Sequence, residues 1–114
     1  MALIFADVLH EFYSKGKTGA LFATVDQNTD RMARFYFENG LIHHLSFGPL
    51  KGKECLEQLE HYDFGMAVFC TGMKPPRISH HDLPITSNII AFFKSKGKTI
   101  RGIHFAERGN KPDN

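Results

Sequence analysis

Residues 32–47 read Met-Ala-Arg-Phe-Tyr-Phe-Glu-Asn-Gly-Leu-Ile-His-His-Leu-Ser-Phe. Ala33, Phe35 and Phe37 alternate with Arg34, Tyr36 and Glu38, which is the period of two that a strand imposes. Asn39-Gly40 follows, and a second run, 41–47, starts at once. Asn-Gly between two such runs signals a hairpin, because a type I′ turn needs positive φ at both central residues. A two-residue turn fixes the register, so 38 faces 41, 36 faces 43 and 35 faces 44. In that register Phe35, Phe37, Ile42 and His44 share one face, which must be core. Tyr36, Leu41, His43, Leu45 and Phe47 share the other. That second face is too apolar for plain solvent. It is expected to be a protein-binding surface, unless the chain's own helices cover it.

Outward from the hairpin, residues 18–25 alternate as another strand, and 26–31 are polar and turn-forming. Residues 3–13 carry Ile4/Phe5, Val8/Leu9 and Phe12/Tyr13 in one helical stripe, stopped at Gly16. Residues 52–61 read as a short helix, 65–71 as a strand, and 85–96 as a helix with Ile85, Ile89 and Phe92/Phe93 inward. The order α-β-β-β-α-β-α predicts an α+β fold: three helices on a mostly antiparallel four-stranded sheet, five-stranded if residues 100–105 pair as well. A single domain over 1–99 and a basic, partly disordered tail over 100–114 are expected. Ser-Lys-Gly-Lys-Thr occurs at 14–18 and again at 95–99, and both copies read as basic turns at helix ends.

The chain has 114 residues, with 42% hydrophobic residues, eleven Phe and no Trp. This length supports one core without metal or disulfide, and it excludes kinases, barrels and two-domain dehydrogenases. Net charge is +2, but residues 94–114 hold six basic against two acidic residues. The start lacks a basic leader, and no stretch approaches the roughly 20 apolar residues of a membrane span. Cys55 and Cys70 stand apart without CxxC spacing, which reads as free thiols in a reducing, cytoplasmic setting.

No arrangement of residues points to catalysis, a cofactor or a metal. His43 and His44 are adjacent in a strand, so their rings point to opposite faces and cannot share an ion. His44 reads as a hydrogen-bonded core residue. His80-His81 lies in a Pro-flanked loop without a second ligand pair. Gly-Lys-Thr at 16–18 and 97–99 lacks the P-loop glycine five residues earlier, where Glu11 and Phe92 stand. Asp63-Phe64-Gly65 spells a kinase motif in a chain too short for the other kinase parts.

Over residues 3–96 the chain resembles the PATAN domain, the N-terminal domain of PatA-type bacterial response regulators. The resemblance rests on Lys17-Thr18-Gly19-Ala20-Leu21, Phe35-Tyr36-Phe37-Glu38-Asn39-Gly40, Ile42-His43-His44, Gly52-Lys53-Glu54-Cys55-Leu56, and Tyr62-Asp63-Phe64-Gly65 through Phe69. It implies a regulatory protein-binding module in bacterial signalling, including motility control and cell patterning, with no catalytic residues. The expected partner is a protein, and a second copy is the simplest, since two-fold dimers are the commonest assembly. A nucleic-acid or anionic-surface binder acting through the basic segment 94–111 is the alternative.

Overall fold

The computed structural model describes residues 2–25, 28–75 and 82–107. Its elements are β1 (Leu3–Ile4), α1 (Phe5–Ser14), β2 (Gly19–Val25), β3 (Asn28–Glu38), β4 (Leu41–Phe47), β5 (Leu50–Lys51), α2 (Gly52–Leu59), β6 (Phe64–Thr71), α3 (Thr86–Ser95), β7 (Thr99–Ile100) and β8 (Gly102–Glu107). The class is α+β, with three helices and a mostly antiparallel sheet among the described residues. The main sheet has six strands in the order β5-β4-β3-β2-β6-β8, not four or five, and β1 and β7 form a separate antiparallel pair.

The differences in extent have local reasons. Leu3 and Ile4 leave the predicted first helix to pair with Ile100 and Thr99. Residue 28 already pairs with Val25, so β3 starts inside the stretch that composition marks as a turn. The sheet also runs past the expected domain boundary at 99. β8 lies parallel to β6, from Met66 opposite Gly102 to Thr71 opposite Glu107. Residues 108–114 and the pair His80-His81 lie outside the described residues.

The Asn39-Gly40 turn has the expected geometry, with φ of 54° and 88°. It also docks on the end of α1. The Gly40 amide donates to the Lys17 carbonyl at 2.8 Å, and a Cβ on Gly40 would stand 2.6 Å from the Tyr13 carbonyl. The register begins as predicted, with Glu38 opposite Leu41 and Phe37 opposite Ile42. It then slips: Tyr36 faces His44, Phe35 faces Leu45 and Ala33 faces Phe47. His43 is the extra residue of a β-bulge, and a one-residue slip exchanges the two faces of everything beyond it.

The predicted face assignments are therefore corrected from residue 43 onward. Leu45 and Phe47 join Phe35, Phe37 and Ile42 in the core, both with no exposed surface. They cannot belong to a binding surface. His44 is buried, as expected, but on the opposite face beside Tyr36, with ring centroids 5.4 Å apart. Leu41 remains 46% exposed.

The core is built from phenylalanine. Phe5 and Phe93 reach down from α1 and α3 onto Phe35 and Phe64, with centroid separations of 4.5 to 5.9 Å. Phe12 packs on Phe37 and Phe69 at 5.4 and 4.5 Å. Edge-to-face and offset packing of this kind adds about 0.5–1.5 kcal/mol per pair beyond area burial. Ile85, expected to face inward, caps the start of α3 from outside and is 66% exposed.

The repeated pentapeptide is a repeated helix stop. After α1, Gly16 donates to Tyr13 and Lys17 donates to Phe12; after α3, Gly97 donates to Lys94 and Lys98 donates to Phe93. Both are Schellman motifs, with the glycine at φ of 62° and 64°. The second copy does more. The Lys98 ammonium donates to the Glu60 and Tyr62 carbonyls at 2.7 and 2.6 Å, next to the C-terminal end of α2. A cation there completes orphan carbonyls and opposes the helix dipole. Lys96 adds an ion pair to Glu60 at 3.1 Å.

On the open edge of β4, the Ile42 amide donates to the buried Thr86 hydroxyl at 2.8 Å, which joins the bulged strand to the start of α3. Thr86→Val keeps the shape and removes the acceptor. It is expected to lower unfolding free energy by about 1–3 kcal/mol in denaturant titration, the cost of an unpaired buried amide. The bulge makes a sharper prediction. Leu45→Ala should cost about 2–5 kcal/mol as a core truncation, while Leu41→Ala should stay within about 0.5 kcal/mol of wild type. Equal effects would mean that both residues share a face, as in the unbulged register.

Candidate interaction surface

The helices occupy one side of the sheet, because their buried side chains form a single cluster with Leu21, Phe35, Leu45 and Phe69. The other side is built from the alternate residues. Pairing sets them in rows across the strands: His44, Tyr36, Ala20, Cys70, Ala106, and then Ser46, Arg34, Phe22, Val68, His104. Ala20, His44 and Ser46 are buried, Tyr36, Phe22, Val68 and Cys70 are half-buried, and Arg34 and His104 are exposed. Tyr36 packs edge-on against Phe22, with centroids 6.1 Å apart.

Of the five residues expected to bind a partner, Tyr36, Leu41 and His43 keep exposed surface and Leu45 and Phe47 do not. The bulge divides them, so the set does not form one surface. His43 stands 3.9 Å from the Glu38 carboxylate, an exposed and weak pairing.

A different surface is more strongly formed. On the helix-facing side of β8, a groove of about 420 Å³ runs between that strand and α1. Leu3, Ile4, Val8, Ile103 and Phe105 give it an apolar floor. Leu3, Ile4 and Phe105 are 43%, 51% and 59% exposed. Phe105 is held by Phe12 and Phe69, at centroid distances of 6.3 and 6.2 Å. Asp7 rims the groove in the first turn of α1, Glu11 further along the helix, and Lys15 and Lys17 just past its end. Glu11 and Lys15 pair at 2.8 Å, and this hydrogen bond and charge hold the Glu11 carboxyl below its ordinary range.

The sequence held a signal for this groove that the elements obscured. The stripe on α1 pairs Ile4 with Phe5 and Val8 with Leu9, twice the width that one sheet face needs. Phe5 and Leu9 fill the core, and Ile4 and Val8 line the groove. Ile103 and Phe105 alternate with Gly102 and His104, which is the strand signal that the tail carries.

Of the residues considered for chemistry, Cys55 lies within the core, while Cys70 and His44 stand in one row on the open side of the sheet. Among the described residues no three of His, Cys, Asp or Glu stand close enough to hold a metal ion. Neither cysteine is in a disulfide. Among the described residues no helix is long and apolar enough to cross a membrane. Comparison with protein-family models, with curated proteins and with solved structures found no match.

Cys55 is buried in the core, and desolvation pushes its thiol up to about 12. Almost none of it is thiolate at neutral pH, and the thiolate is the reactive form. Under native conditions a thiol reagent should label Cys70 first, and Cys55 only at the rate of unfolding. Equal labelling of both, read by mass spectrometry, would contradict the placement of Cys55.

Proposed function

We propose that the chain is a non-catalytic protein-interaction module of bacterial signalling, acting as an adaptor or homodimer in motility or response-regulator pathways. The observation that carries the interaction reading is the apolar groove beside β8. Exposed Leu3, Ile4 and Phe105 lie together there, where isolated apolar residues would carry no meaning. The signalling setting, and with it a cytoplasmic location, is proposed on the PATAN resemblance of residues 3–96.

The alternative, binding of nucleic acid or an anionic surface through residues 94–111, is less well supported. Its positive charges are partly consumed within the fold. The Lys98 ammonium turns inward to two carbonyls, and Lys96 pairs with Glu60. Such binding rests on many free cations meeting phosphates, and it weakens steeply with salt.

The two readings separate in one experiment. The full chain and Phe105→Glu are immobilised and exposed to bacterial extract at low and moderate salt, with bound proteins identified by mass spectrometry. The module reading expects a partner, the chain itself included, that survives moderate salt and is lost on Phe105→Glu with an unchanged melting curve. Binding that ignores Phe105→Glu and falls steeply with salt would favour the basic segment instead.

A further inference from the structure

The two edges of the main sheet are treated differently. At the β4 edge, β5 is only two residues long and Thr86 takes the Ile42 amide. Short edge strands and covered amides are how sheets avoid pairing with other chains. At the opposite edge β8 runs six residues, contains neither Pro nor Lys, and is paired on one side only among the described residues. The apolar groove lies on the helix-facing side of that same strand, at Ile103 and Phe105. An extended edge beside an apolar groove is the arrangement that strand addition uses: main-chain bonds give affinity and the groove receives alternate side chains.

We infer that the occupant is a second copy of this chain, with β8 pairing antiparallel to the partner copy's β8 about a two-fold axis through His104. This inference rests on the interaction-module reading and names its partner. Three observations select it. Antiparallel pairing about a two-fold axis normal to the sheet keeps like faces together, so the axis must pass through a residue and not between two. An axis at His104 sets Ile103 against Phe105 of the other copy, twice over, on the groove face. β-branched–aromatic pairs of this kind are favourable across strands. The groove rim is also self-complementary. It is acidic at Asp7 and basic at Lys17, and the two-fold axis turns the acidic end of one copy toward the basic end of the other. Residues 108–114 are a poorer occupant, since they read Arg-Gly-Asn-Lys-Pro-Asp-Asn and carry no large apolar side chain.

The axis position is testable by cross-linking. Directly opposed residues in an antiparallel pair have Cα atoms about 4.5–5.5 Å apart, within the span of a disulfide. The exposed His104 would face its own copy, so His104→Cys should oxidise to a covalent dimer under mild oxidant. Met32→Cys, exposed on β3, and the wild-type chain should not. In sedimentation velocity the wild type should run as a dimer and Phe105→Glu as a monomer with an unchanged melting curve. Ile103→Ser serves as the second variant should Phe105→Glu unfold. A wild-type dimer that survives the folded groove variant and leaves His104→Cys uncoupled would overturn the proposal, because another face would be pairing. A monomeric wild type would also overturn it. In that case, loss of a heterologous partner on Phe105→Glu leaves the module reading standing, and retention of every partner removes that reading as well.

Discussion

One extra residue in β4 decides what this protein shows to its surroundings. The Asn39-Gly40 turn starts the β3–β4 register, and the bulge at His43 resets it before the third cross-strand pair. Without the bulge Leu45 and Phe47 would stand on the open side of the sheet. With it they complete the core under the helices, and His44 goes to the other side with Tyr36. Both residues are large, so the exchange moves two full side chains between water and core. Burial of each is favourable by about 1.5–3 kcal/mol. That difference is large against the marginal stability of a domain this size, and it holds the bulge in place.

The helical layer depends on that same face. Phe5, Phe12 and Phe93 find ring partners only because Phe35, Phe37, Phe64 and Phe69 are presented together on it. Two identical helix stops then return the chain to the sheet system at Thr18 and Thr99, and Lys98 fastens the second of them to the end of α2. The core is one of flat rings joined by short capped connections. It also leaves α1 with a second apolar flank, and that flank, with β8, forms the groove.

Much of this was legible in the sequence, and the failures are specific. The hairpin turn, the span of β4 and the three helices follow from turn chemistry, alternation and capping glycines. The faces beyond residue 43 do not follow from the turn alone, because a register extended from Asn39-Gly40 contains no break. The break was visible: the apolar positions run 42, 45, 47, a change of phase in a period-two pattern, and a bulge is the usual way to absorb it. β8 was harder. Its parallel pairing with β6 joins segments far apart in sequence, which no local pattern specifies, and its position at the sheet edge is a tertiary fact. Ile85 failed for a simpler reason, since it occupies the position before the first helical turn and not the helix face. The exposed apolar residues accordingly gather along α1 and β8, and Leu45 and Phe47 of the hairpin do not join them.

The placement of Leu45 and Phe47 in the core rests on the pairing of β3 with β4, and backbone NMR reads it directly. Cross-strand nuclear Overhauser contacts should connect Phe37 with Ile42, Tyr36 with His44 and Phe35 with Leu45, with His43 left without an opposed residue on β3. Contacts connecting Tyr36 with His43 and Phe35 with His44 would show an unbroken hairpin. They would return Leu45 and Phe47 to the open face and contradict the account.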